Sequence, residues 1–177
     1  SVGSAAGQVA KAMGCRAVGI AGGPEKCKLV RDEFGFDDCC DYKADDLEGQ
    51  IAKACPDGVD VYFDNVGGAV LDAALANMNK GGRIPVCGVL ADYNVAGDRY
   101  GIKNFRKVFD KSLTIRGFLL SDYRESWPEA RAELESMVAS GAMKYRETIA
   151  EGIENAPAAF IGMLQGANTG KQLVKLA

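Results

Sequence analysis

Three short apolar runs in this chain, AVGIAGG, VDVYFDNVGG and RIPVCG, each end in glycine where the chain has to turn. Runs rich in Val, Ile, Tyr and Phe, bounded by glycine, read as strands, and the segments between them carry the longer apolar period of helices. Strands that alternate with helices in this way cannot be joined by tight hairpins. They are served by crossovers, which lay the strands parallel and place helices on both faces of the sheet. The expected fold class is therefore α/β, a doubly wound parallel sheet. In such sheets ligands bind at the carboxyl ends of the strands, where the strand order switches. Polar and glycine residues just after each strand are the first candidates for a site.

The pattern predicts a helix over Gly7–Met13 with Ser4 as its cap, and a strand at Ala17–Ile20. A charged helix follows from Glu25 to about Phe34, then a short strand near Cys40 and a helix at Leu47–Ala54. VDVYF reads as a buried strand, the strongest in the chain. Val70, Leu71, Ala74, Leu75 and Met78 mark one face of the next helix, and GGRIPVCGVL is a strand with Gly81-Gly82 as the turn in front of it. Residues 91–110 are polar and less regular, ending in a helix over Asn104–Phe109, and Leu113–Leu120 is a further strand. Trp127, Ala130, Leu134, Met137 and Val138 predict an amphipathic helix, capped near Ser126 with Pro128 in its first turn. A short segment at Thr148–Ala150, a helix at Ala156–Leu164 and a strand in KQLVKL complete the chain, which reads as one domain over residues 1–177.

Composition narrows the function classes. Hydrophobic residues at 47% and charged residues at 25% suit a soluble globular chain, and no apolar run approaches the roughly 20 residues that span a bilayer. A net charge of -3 gives no basic face for nucleic acid. The chain contains no histidine, and its six cysteines form no CxxC pair. The usual zinc patterns and the Ser-His-Asp and Cys-His arrangements are thereby removed, and no metal site is expected. The cysteines read as small buried hydrophobes in a reducing, cytoplasmic setting.

Several junctions could carry chemistry. Ser1-Val2-Gly3-Ser4 with Gly7 could be the tail of a dinucleotide fingerprint, Gly3 allowing close approach of a pyrophosphate and Gly7 close packing of the helix, or a plain small-residue helix start. In GIAGGPEKC the strand ends without a carboxylate, Gly22 and Gly23 leave space, and Lys26 can hold an ammonium over it. That favours a cofactor with a 2′-phosphate over one with a free ribose hydroxyl; the alternative is a solvated helix lysine. Asp64 and Asn65 follow a strand and could reach a ligand, or serve a turn. Cys87 and Gly88 end another strand near Tyr93, whose hydroxyl could donate a hydrogen bond or a proton, or simply pack the loop. Phe118, Leu119 and Leu120 could face a flat nicotinamide or the core, and Asn168 sits in the loop QGANTGK.

Taken together AGGPEKC, DYK, FDNVGG, VCGVLADYN, GFLLSDY and the closing segment ENAPAAFIGMLQGANTGKQLVKLA resemble one family along the whole chain. It is the zinc-independent medium-chain dehydrogenase/reductases, in the branch of prostaglandin reductases and NADP-dependent alkenal double-bond reductases. The resemblance implies a Rossmann domain for NADP(H) that lacks its first strand and a preceding catalytic domain, with the last ten or so residues returning towards that domain. It implies that Ser1, Val2 and Gly3 end the pyrophosphate loop, that Lys26 pairs with the 2′-phosphate, and that Tyr42 stands at the same end. Asn65 is the loop asparagine, and Asn168 reaches back to the cofactor. Cys87, Gly88, Val89, Leu90, Ala91, Asp92 and Tyr93 form the segment beside the nicotinamide, with Phe118, Leu119 and Leu120 against its carboxamide. The implied reaction is hydride transfer from NADPH to the C=C bond of an α,β-unsaturated ketone or aldehyde, or to a quinone, by a protein that is often a homodimer. Tyr93 is the candidate proton donor. Other readings are a non-catalytic nucleotide-binding protein of the same fold and a methyltransferase.

Overall fold

The computed structural model describes residues 2–176. In chain order the elements are α1 (Val2–Ala12), β1 (Val18–Ala21), α2 (Pro24–Asp32), β2 (Asp38–Asp41), α3 (Leu47–Ala54), β3 (Val59–Val61), α4 (Gly68–Asn77) and β4 (Met78–Val86). They continue as α5 (Arg106–Asp110), β5 (Thr114–Gly117), α6 (Trp127–Ala139), β6 (Glu147–Glu151), α7 (Ala156–Leu164) and β7 (Lys171–Lys175). Strands β1 and β2 pair; β3, β4 and β5 form a ladder in that order; β6 pairs with β7. The second and third ladders are parallel, as the alternation of strand and helix requires. No helix among the described residues is long and apolar enough to cross a membrane.

The chain gathers into two units, residues 1–39 with 134–177 and residues 40–133, the divisions falling inside β2 and α6. The first unit is cored by Ala17, Phe34 and Phe36, with Leu29 and Val30 of α2 against them. Gly7 belongs to this packing: a Cβ there would overlap the Phe36 ring, so only glycine lets α1 come this close. Asp37 closes the unit below that ring, accepting from the Ala17 N–H at 2.8 Å and from Lys11 Nζ at 2.7 Å. Gln8, buried, exchanges two hydrogen bonds with the backbone of Lys144. The second unit is cored by Leu75, Met78 and Ile84, each at 1% exposure or less. Helix α3 starts on a capping Asp46, whose carboxylate accepts from the Gly49 N–H at 2.9 Å.

Five expectations are corrected. Helix α1 runs from Val2, so Ser4 lies inside it and is no cap. The run VDVYF is not a buried strand: β3 is short, Val61 is 48% exposed, and the register slips between Val59 and Val61. It is an edge of its ladder, and Gly81-Gly82 lie within β4 as the local irregularity rather than as a turn before it, Gly81 adopting φ +75°. Helix α6 has its predicted extent but no buried residue. Its Trp127 is engaged locally, donating from Nε1 to the Leu120 carbonyl at 3.1 Å under the Arg124 guanidinium. Among the cysteines, 27, 39 and 40 are buried, but Cys55 and Cys87 are only partly so and Cys15 is exposed. Cys15 follows the end of α1, where the chain leaves the helix for solvent.

Candidate functional site

In the second unit the carboxyl ends of three segments come together. β4 and β5 run in register from Arg83↔Thr114 to Val86↔Gly117, so Cys87 and Phe118 leave the ladder side by side. Beyond β3 the chain continues to pair: Asp64 donates its N–H to Pro85 and its carbonyl accepts from Cys87 at 2.7 Å and Gly88 at 3.2 Å. The Asn65 carbonyl accepts from Leu90 at 3.1 Å and that of Val66 from Ala91 at 2.9 Å. Gly88 is required here, because a Cβ would sit 3.0 Å from the Asn65 carbonyl oxygen. The 87–91 segment is thus held by main-chain bonds to the DNVGG loop.

That loop is organised by a buried carboxylate. Asp64 is fully buried, and its Oδ1 accepts from the N–H groups of Val66 and Gly67 at 2.9 Å each and from the Tyr62 hydroxyl at 3.1 Å. Its Oδ2 has no partner among the described residues. Burial, with the Asp64 carboxylate beside it, pushes the Tyr62 hydroxyl well above the usual phenol range. The expectation that Asp64 reaches a ligand is corrected: its side chain turns inward and shapes the loop. Asn65, its neighbour, stays partly exposed.

At this rim lies an open cavity of about 430 Å³ lined by Cys87, Val89, Tyr93, Phe118, Leu119 and Asp122. The structure therefore brings two predicted segments to one place. Tyr93 is 62% exposed at the end of the 3-10 turn Leu90–Asp92. Phe118 is gripped edge-on by Phe63 and Tyr123, at centroid distances of 6.3 and 6.1 Å. Leu90, Ala91 and Asp92 carry the chain between lining residues, and Leu120, 70% exposed, opens the next 3-10 turn. Strand β5 ends at Gly117, so the Phe118–Leu120 segment is loop, not the strand end expected. Asp122, which accepts from the Leu119 N–H at 3.2 Å, and Phe63 lie in the motifs GFLLSDY and FDNVGG but are not among the expected site residues. Neither carries a spacing signal; only the fold brings them to the rim.

The first unit holds a second cluster. Lys26 lies in the first turn of α2, behind Gly23, where an added Cβ would meet nothing within 4 Å. Its Nζ donates to the Gly166 carbonyl at 2.5 Å. Asn168, two residues on, folds its amide back to the Gly170 carbonyl at 2.8 Å and lines a shallow cavity of about 440 Å³ with Thr148, Asn155 and Gln172. Val2 and Gly3 form the first turn of α1, and the predicted Ser1 lies outside the described residues. Tyr42, in the second unit, is half exposed just after β2. Among the described residues no three acidic or cysteine side chains converge as metal ligands.

Comparison with known proteins gives a consistent result. The family model described as zinc-binding dehydrogenase matches residues 1–136. The chain is 43% identical over 182 residues to an NADPH-dependent curcumin reductase of Escherichia coli, covering 99% of this chain and 52% of that protein. It is 40% identical over 178 residues to an NADP(+)-dependent 2-alkenal reductase of Nicotiana tabacum, covering 100% and 52%. Among solved structures, CurA of Vibrio vulnificus in complex with NADPH superposes with a TM-score of 0.93 at 43% identity, covering 99% of this chain and 54% of that one. The chain spans about half the length of the curated relatives it matches.

Proposed function

The chain belongs to the zinc-binding dehydrogenase family, and from that premise we propose that it is the cofactor-holding part of an NADPH-dependent reductase of the C=C bond in α,β-unsaturated ketones and aldehydes. The observation that carries this reading is the rim at the joined ends of β4 and β5, where main-chain bonds and a buried Asp64 preform a cavity with an apolar floor and one phenol. Its likeness to reductases of alkenals and curcumin supplies the substrate class.

The residues fit a nicotinamide dinucleotide phosphate. Lys26 stands in the first turn of α2 beside glycines, with Glu25 one residue before it, and its ammonium would meet the 2′-phosphate; Tyr42 is a further candidate contact. Val2 and Gly3 present main-chain amides of the first turn of α1 to the pyrophosphate, where the helix dipole favours negative charge. Asn65 and Asn168 are loop amides for the ribose and phosphate groups. Phe118 and Leu119 would give an apolar surface for the nicotinamide face, with Cys87, Gly88 and Val89 lining the same cavity. When bound, the cofactor supplies the hydride that goes to the β-carbon of the substrate. In this reading the hydroxyl of the exposed Tyr93 would hydrogen-bond the developing enolate oxygen or deliver the proton to the α-carbon. No zinc ligand set lies among the described residues, so no role here is assigned to that metal. The relatives are about twice as long as this chain, and a segment matching their other half would complete the substrate cleft, with a homodimer formed through this domain.

The test is a titration of the full-length protein and its Lys26→Ala variant with NADPH and NADH, followed by turnover of enones, enals and quinones. Lys26→Ala should weaken NADPH about tenfold, one charge-assisted contact, and leave NADH unchanged. Equal loss for both cofactors would remove Lys26 from phosphate recognition. Tight NADPH binding with no reduction of any such substrate would make this a nucleotide-binding protein without catalysis.

A further inference from the structure

The first unit contains a contact that phosphate recognition by a lysine does not by itself call for. Lys26 Nζ donates to the carbonyl of Gly166, 140 residues further along the chain. That turn is held from several sides. The Gly166 N–H donates to the Met163 carbonyl at 3.0 Å and the Ala167 N–H to that of Gly162 at 2.9 Å, closing the end of α7. Thr148 of β6 donates to the Thr169 carbonyl at 2.8 Å and accepts from the Thr169 N–H at 3.0 Å. Gly170 lies against the Arg146 carbonyl so closely that a Cβ would overlap it. Gly166 itself sits at φ +74°, a conformation in which a β-branched residue is strained.

We infer that Gly166 is a positioning residue for the cofactor's phosphate end: its carbonyl holds the Lys26 ammonium in place, so that preference for the 2′-phosphorylated cofactor is set by the turn after α7 as well as by Lys26. This rests on the reading that Lys26 meets the 2′-phosphate. A lysine side chain loses rotamer freedom when it is fixed. An ammonium has three donors, and one bond to a rigid carbonyl leaves two for a phosphate while meeting part of that ordering cost beforehand. The same bond joins the first turn of α2 to the loop that carries Asn168, so two predicted cofactor contacts share one support.

Full-length protein carrying Gly166→Val, Gly166→Asn and each of these combined with Lys26→Ala tests the inference. NADPH, NADH, 2′,5′-ADP and 5′-AMP serve as probes. Valine strains the turn at φ +74° and should displace the carbonyl; an added Cβ would itself stand in ordinary contact with Nζ, at 3.9 Å. Asparagine tolerates the left-handed region and keeps the carbonyl in place. Gly166→Val should weaken NADPH and 2′,5′-ADP about fivefold, as for one lost hydrogen bond, with NADH and 5′-AMP unchanged. Gly166→Asn should retain wild-type preference, and in the Lys26→Ala background valine should add nothing. If Gly166→Val does not fold, Thr148→Val, which loosens the turn without altering its backbone angles, should give a smaller loss of the same selectivity. Loss for all four probes alike would overturn the inference and leave the turn a purely structural element. So would a selective loss that persists without Lys26. If Lys26→Ala alone shows no selectivity, the phosphate reading fails first, and that result is separate from any Gly166 outcome.

Discussion

In the proposed function the rim of the second unit and the Lys26 cluster of the first carry two kinds of recognition, and they are built from different forces. At the rim the contacts are main chain to main chain: Cys87, Gly88, Leu90 and Ala91 all donate to carbonyls of residues 64–66, and the organising carboxylate is out of reach of water. In the Lys26 cluster the contacts come from long charged side chains. Lys26 reaches Gly166, and at the other end of α2 Glu33 takes two hydrogen bonds from the Arg146 guanidinium at 2.6 and 2.7 Å. Main-chain stitching in a buried setting is costly to break and indifferent to salt. Exposed charged contacts are weak singly and screened by ions. The rim is therefore suited to holding a reacting ring in one geometry, and the charged cluster to choosing between cofactors that differ by a phosphate.

The largest expected effect falls on the rim. Asp64→Ala removes the acceptor of three buried or partly buried donors, and at roughly 1–3 kcal/mol for each unmatched buried group the loss of stability should be about 3 kcal/mol. Asp64→Asn keeps an acceptor oxygen for those donors and should lose much less. Denaturant unfolding of the whole protein measures both, and affinity for NADPH and NADH should fall together in the alanine variant. A loss under about 1 kcal/mol would mean that the loop holds itself without its carboxylate, and the contrast with the charged cluster would disappear.

How much of this was legible beforehand follows the same division. Glycine-terminated runs told where strands end, and Cys87, Gly88, Val89, Tyr93, Phe118 and Leu119 line one cavity. Helices α3 and α7 lie where their apolar spacing placed them. The sequence leaves Asp64 between reaching a ligand and serving a turn, because it shows that a polar residue follows a strand but not which way its side chain turns. The Asp-Asn-Val-Gly spacing, an acceptor two and three residues before free amides, was the signal for its inward role. VDVYF looked like a buried strand because Val and Tyr favour strands, yet β3 stands at the edge of its ladder, a matter of pairing partners rather than of propensity. Gly166 carried no signal at all. Its importance comes from a lysine 140 positions away, and only the folded chain puts the two in contact.

The smallest expected effect belongs to the charged cluster and depends on pH. The Arg146 guanidinium, first by its hydrogen bonds and then by its charge, holds the Glu33 carboxyl below the usual carboxylate range. A carboxyl lowered in the folded state stabilises it above the unfolded value, about 4.3, and that contribution is lost as pH falls through the folded value. Both side chains are exposed to solvent, so global unfolding is a poor reporter and local opening a better one. The Lys171 N–H, which donates to the Arg146 carbonyl at 2.8 Å, reads that opening by hydrogen exchange. At pH 7 Glu33→Gln should exchange this amide faster than the wild type, and the difference should close below about pH 4 as the wild-type carboxyl protonates. A difference that persisted in acid would show that the contact acts by shape and not by charge. No difference at pH 7 would mean that β7 is held by its pairing with β6 alone, and that α2 is anchored at its Lys26 end only.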